Sequence, residues 1–201
     1  MPRTASLNPK TREKLLDAAT SLMLSQGYNG TSVDAICAEA GVTKGSFFHY
    51  FESKDELGRA ALQRFCEKMG RKFEVAIGLE KDPWKRVLKY LDAVEDVAND
   101  PEASRGCLLG EFSAELCDCN GPMRSMCCGG FQAWSEKLGA ELAAAKKAVA
   151  PRASWDPHEV AEHFIAVLEG SLMLAKVRKN ADVVARNVRH FRTYLKGLCG
   201  K

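Results

Sequence analysis

Apolar residues in this chain recur at the three- and four-residue steps of a helix, and no run of useful length follows the two-residue step of a strand. Leu15, Ala18, Ala19 and Leu22 share one face of a first segment. Asn8-Pro9 opens it with a cap and a proline at the first helical position, and Gly27 closes it. Val33, Ile36 and Cys37 mark a short second helix opened by Thr31-Ser32, with Asp34 three residues after Thr31 as in a capping box. Ala40-Gly41 ends it, Val42-Thr43 begins a third helix over 44–50, and Ser53-Lys54-Asp55-Glu56 opens a fourth that nothing interrupts until about residue 79.

The rest of the chain repeats the pattern at greater length. Asp82-Pro83 starts a helix with Trp84, Val87, Leu88 and Leu91 on one face, and Asn99-Asp100-Pro101 breaks it. A short helix over 107–117 precedes the turn Asn120-Gly121-Pro122, after which Phe131, Trp134, Leu138 and Leu142 keep helical spacing. Asp156-Pro157-His158-Glu159 caps a helix reaching about 179, and Val184, Val188, Phe191 and Leu195 stripe a last one over 182–197. The expected fold is all-α, about nine helices. It divides into a mobile basic arm (1–8), a three-helix domain (9–53), a connecting helix (54–80) and a larger helical domain (81–201).

Composition narrows this picture only slightly. A chain of 201 residues can bury a sizeable core without a metal or disulfide. A net charge of +3 permits nucleic-acid binding without requiring it. Eight cysteines would suggest disulfides in a secreted protein, but the polar start Met1-Pro2-Arg3-Thr4 is no apolar leader and no apolar run approaches membrane-spanning length. A cytoplasmic protein with reduced thiols, no membrane partner and no cofactor is expected.

The stretch from Gly27-Tyr28-Asn29-Gly30-Thr31-Ser32, through Ala40-Gly41-Val42-Thr43-Lys44-Gly45-Ser46-Phe47-Phe48-His49-Tyr50-Phe51, to Ser53-Lys54-Asp55-Glu56-Leu57 closely resembles the DNA-binding domain of TetR-type regulators. It combines a turn glycine, two caps, an aromatic cluster and a lysine at set offsets. A helix entering a major groove should be short, small or polar at its N-terminal end, and flanked by phosphate-binding groups. Thr43, Lys44, Gly45 and Ser46 form that end, within a helix-turn-helix of about 32–51. Gly45 permits close backbone approach, and Phe47 and Phe48 are expected to divide between core and DNA side. His49, Tyr50, Lys54, Thr31 and Ser32 are placed to hold phosphates, a role the resemblance also implies. Arg3, Lys10, Arg12 and Lys14 offer auxiliary contacts, although residues 1–60 carry seven basic and seven acidic side chains.

The resemblance implies that the larger domain senses a ligand and dimerises. Its last two helices are expected to pack on their copies through Phe164, Leu168, Leu172, Val184, Val188, Phe191 and Leu195, or else to close a monomer's core. A homodimer presents two reading helices to an inverted-repeat, double-stranded operator with half-sites about one turn, roughly 34 Å, apart. Repression relieved by a small-molecule inducer or electrophile is the implied behaviour.

Arg105-Gly106-Cys107-Leu108-Leu109-Gly110-Glu111-Phe112 is similar to the Gly-Cys-Leu element of a subgroup responding to electrophiles and unsaturated acids. That match implies a reactive Cys107, its thiol lowered by a helix N-terminus and Arg105. The alternative is a cysteine packed as a small hydrophobe. Phe112, Trp134 and His163 are further pocket candidates, with core packing as their other role. Cys117, Cys119, Cys127 and Cys128 could form a redox disulfide or gather around a metal, in a spacing that is not a usual zinc pattern. A cysteine-based enzyme lacks a visible base and oxyanion loop, and a helical adaptor that no longer binds DNA is the other alternative.

Overall fold

The computed structural model describes residues 8–99 and 106–200, and among these every regular element is a helix. The elements are α1 (Pro9–Gln26), α2 (Val33–Ala40), α3 (Lys44–Tyr50), α4 (Lys54–Ile77), α5 (Pro83–Asn99), α6 (Leu108–Leu116), α7 (Gly121–Val149), α8 (Pro157–Arg178) and α9 (Asp182–Leu198). The expected arm up to residue 7, Asp100-Pro101 and Arg105 lie outside the described residues.

Local chemistry places the boundaries. Asn8, Ser32, Thr43, Ser53, Asn120 and Asp156 each accept a backbone N–H from the first turn of the helix that follows. The second helix is therefore capped by Ser32, one residue later than the expected Thr31 box. α4 stops at Ile77 because Gly78, at φ 52°, turns the chain out of the helix. Cys107 and Cys117 are the two caps of α6, outside the helix they were expected to begin and end.

The hydrophobic interior forms two clusters whose border differs from the expected domain boundary. One joins Leu15, Leu16, Ile36, Phe47, Leu57 and Leu62 from α1–α4 to Leu108, Phe112, Leu116 and Met123 from α6 and the start of α7. The other gathers Ile77 with the inward faces of α5, α7, α8 and α9. Helix α6, expected in the sensing domain, thus shares its core with the first four helices. Trp134 packs against both clusters and donates its indole N–H to Tyr90 Oη at 2.6 Å.

Helices α8 and α9 carry the clearest correction. Phe164, Leu168, Val184, Val188, Phe191 and Leu195 are buried inside the subunit, and half-buried Leu172 packs against them. The six buried residues are not free to be the face presented to a second copy, and Leu172 is only partly so. The strongest apolar stripe of an amphipathic helix goes to its own core, and a contact with another chain must use a weaker stripe beside it. That second stripe is visible. Met173, Leu174 and Val177 on α8 and Tyr194 on α9 are exposed, Val177 at 78%.

Candidate nucleic-acid interface

Helices α2 and α3 are joined by a turn in which Gly41 adopts φ 65°, a left-handed conformation suited to glycine. Thr43 then caps α3, its Oγ1 accepting from Ser46 N at 3.1 Å. Phe47 is fully buried and anchors α3, its ring tilted against that of Phe51. Thr43, Lys44, Gly45, Phe48 and His49 face outward, with Ser46 and Tyr50 half-buried at the edges. Phe48 is 52% exposed although large and apolar. A Cβ added at Gly45 would meet only Thr43 Oγ1, at 3.9 Å, so nothing in the protein's own packing requires a glycine there.

The expected phosphate ligands do not all reach this surface. Ser32 is exposed, but Thr31 is 1% exposed and donates its hydroxyl to Gly27 O at 2.7 Å. The Lys54 ammonium is turned inward, donating to Tyr28 O and Thr31 O at 3.0 Å each and lying 4.2 Å from the centre of the Tyr28 ring. Burial pulls its pKa below the ordinary lysine value. Both side chains secure the α1–α2 turn, a role their position in the motif did not disclose. Tyr50 Oη accepts from Asn8 N at 2.8 Å and donates to Asn8 O at 3.2 Å, tying α3 to the start of α1. Lys44 reaches back to Asp34 of α2 at 2.9 Å. Lys10, Arg12 and Lys14 are exposed on the first turns of α1, where Arg12 also lies over the Phe51 ring.

The four expected pocket residues are not brought together. Phe112 is fully buried, edge-on to Tyr28, and Trp134 sits at the border of the two clusters. His163 is on the outer face of α8 with Phe191 and Tyr194. Cys107 stands apart, with its thiol shared with the Glu169 carboxyl of α8. Burial first, and the nearby carboxylate second, push that thiol well above the ordinary cysteine value, the reverse of the activation expected from a helix start and Arg105. The helix start is real, and backbone N–H groups of Gly110 and Leu109 do pull the thiol down, but by less.

Sequence reasoning missed the polar contacts that tie α6, the α6–α7 turn and α8 to the first four helices and to one another. Glu115 of α6 accepts from Tyr28 N and Asn29 N, both at 2.9 Å. Gly27 makes room for it, since a Cβ there would strike the Glu115 carboxylate. Asn120 donates to Asp55 of α4 at 2.8 Å, and Lys176 of α8 pairs with Glu111 while donating to Leu24 O at 3.2 Å. The only sequence signals were glycines: Gly27 beside Glu115, and Gly110, whose missing side chain leaves room for Glu169. Among the described residues no three His, Cys, Asp or Glu side chains converge as metal ligands would, and no helix is long and apolar enough to cross a membrane.

Comparison with known proteins decides what this arrangement belongs to. The family description "Bacterial regulatory proteins, tetR family" matches residues 15–61, and "Tetracyclin repressor-like, C-terminal domain" matches 83–191, more than half the chain. The chain belongs to the TetR family. TetR-family members are transcription regulators rather than enzymes. The chain is 28% identical over 172 residues to the HTH-type transcriptional repressor DhaR of a Mycobacterium species, covering 85% of each chain. It is 27% identical over 186 residues to the HTH-type transcriptional repressor NemR of Escherichia coli, covering 92% of this chain and 94% of that one. A TetR transcriptional regulator from Chloroflexus aurantiacus has the same fold, with a TM-score of 0.83 at 28% identity, covering 92% of this chain and 94% of that one.

Proposed function

We propose that this TetR-family regulator is a repressor that binds an inverted-repeat operator as a homodimer, reads it with α3, and is released when a small molecule or electrophile acts on α5–α9. The observation that carries the reading is the outer face of α3. It holds small and polar groups at the N-terminal end, an exposed aromatic at mid-helix, and a glycine for which the protein's own packing has no use. Thr43, Lys44, Gly45, Ser46, Phe48, His49 and Tyr50 are assigned to base and phosphate contacts, with Ser32 at the start of α2. Thr31 and Lys54 act behind them, holding the turn. Backbone N–H groups at the starts of α2 and α4 that the cap side chains leave free add to the phosphate grip.

The second copy fits the outer stripe of α8 and α9. His163, Val167, Leu174 and Val177 lie along one face of α8 beside Asn187, His190 and Tyr194 of α9. Gly170 and Gly197 fall on the same faces, and a Cβ at either would meet nothing within 4 Å. A mid-helix glycine costs about 1 kcal/mol relative to alanine, and close approach of a partner helix offsets that cost.

Anisotropy of the reduced protein at about 150 mM salt, against DNA from upstream of its own gene, tests the reading. Saturable binding tighter than about 100 nM, competed only by an inverted repeat, is expected. Failure on that DNA and in a selection across the whole genome would sink it. Gly45→Ala should leave thermal stability unchanged or raised by up to about 1 kcal/mol, while weakening operator binding about tenfold. Leu174→Glu with Val177→Glu should sediment as a folded monomer and lose about a hundredfold in affinity, because each half-site is then bound alone. A double variant that remained dimeric would move the interface elsewhere.

A further inference from the structure

The cysteines around the α6–α7 turn sort into two kinds. Cys128 and Cys119 are exposed, and the Cys119 thiol is 3.7 Å from its own turn's carbonyls, Glu115 O and Leu116 O. Cys127 is 2% exposed in the first cluster, against which Cys117, the half-buried residue closing α6, also packs, and its thiol lies within reach of both Ser113 and Cys117. Adjacent residues on a helix point in different directions, so Cys127 meets Cys117 while Cys128 does not. Cys66 of α4 also lies near Cys127, and burial pushes both thiols up, that of Cys66 to about 11.

We propose that Cys117 and Cys127 form an oxidation-sensitive dithiol, closed to a disulfide by a peroxide, and that its closure weakens the protein's hold on DNA. The chemistry needs one equivalent of hydrogen peroxide. Cys117, the more accessible of the two, loses its proton and attacks one peroxide oxygen. A sulfur–oxygen bond forms, the oxygen–oxygen bond breaks, and the departing oxygen takes up protons as water. The Cys127 sulfur then attacks the Cys117 sulfenic acid, forming the sulfur–sulfur bond and expelling the second water. Two thiols are oxidised, and the peroxide is reduced to two waters.

The consequence for DNA rests on the function proposed above. A disulfide of about 2.05 Å is shorter than any hydrogen-bonded contact, so closure draws the α6–α7 turn toward α7. That turn lies between Glu115, which holds Tyr28 N and Asn29 N, and Asn120, which holds Asp55. Moving it disturbs both ties to the helices that carry α3.

The test treats the reduced full-length protein with one equivalent of hydrogen peroxide and reads intact mass, thiol content and operator affinity together. A loss of two hydrogen atoms is expected, with the peptide of residues 106–124 cross-linked to that of residues 125–137. The link should persist in Cys119→Ser, Cys128→Ser and Cys66→Ser, and be absent from Cys117→Ser and Cys127→Ser, all shown to be folded by circular dichroism. Operator affinity should fall at least tenfold, return on reduction, and resist peroxide in Cys127→Ser. Absence of the link, or its survival in Cys127→Ser, would overturn the dithiol. A link that forms with affinity unchanged would overturn its role in regulation. A reduced protein that binds no DNA would overturn the proposed function instead, leaving the mass readout to judge the dithiol.

Discussion

Glu169→Gln should stabilise the protein at pH 8 by about 2–3 kcal/mol. The Glu169 carboxyl lies between α8 and α6. Its Oε1 is buried without a hydrogen-bond partner, the Cys107 thiol hydrogen-bonds to the carboxyl group, and Glu111 is nearby. Burial raises its pKa to about 7, the Cys107 hydrogen bond opposes that rise, and the Glu111 charge adds to it. The native protein therefore holds a proton that the unfolded chain releases near the ordinary glutamate value of 4.5. The resulting stabilisation is complete below about pH 4.5 and is lost as pH rises toward 7, where the native state must keep a buried charge. Glutamine is neutral at every pH and nearly the same shape, so it escapes that loss. Urea unfolding at pH 5 and pH 8 should show the variant's advantage growing with pH, at equal m-values. An advantage that stayed constant would show that Glu169 does not titrate in this range.

Glu115→Ala should cost about 3 kcal/mol, because two charge-assisted hydrogen bonds go and two backbone donors lose their partner. The readout specific to the tie is hydrogen exchange. Tyr28 and Asn29 amides should lose protection, while the α8–α9 pair, which Glu115 does not touch, keeps its own. Glu115→Gln keeps one acceptor and turns an NH2 toward the other donor, so its loss should fall between wild type and alanine. Unchanged exchange at both amides would mean the turn is held by Lys54 alone, through Tyr28 O and Thr31 O.

Most of the helices were legible in the sequence because their signals are local. Asn8-Pro9, Thr43, Ser53 and Asp156-Pro157 act within a single turn, and each opens the helix it was read to open. Helix α3 was legible for the same reason, although which of Phe47 and Phe48 anchors it was not. Lys54 and Thr31 were not, since both carry donors that suit a phosphate equally well. Only the carbonyls of Gly27, Tyr28 and Thr31, brought near by folding, decide that both point inward. The α8–α9 faces failed for a different reason. A hydrophobic stripe shows that a face is buried, not which chain buries it, and Phe164, Phe191 and Leu195 were claimed first by their own subunit. The choice between a reactive and a packed Cys107 could not be made from the sequence, because its surroundings come from α8, more than sixty residues away in the chain. Neither the helix start nor Arg105 foretold Glu169.

The sharing of one interior between α1–α4 and α6 has a practical bearing on chimaeras. Transplanting α1–α3 of this protein onto another regulator by cutting near residue 54 would leave Leu15, Leu16 and Tyr28 facing a stranger in place of Leu108, Phe112 and Leu116. A graft that carries residues 107–127 along with α1–α3 keeps both the packing and the Glu115 clasp. The exchangeable module of this regulator is discontinuous in sequence, and the joint belongs on the far side of α6.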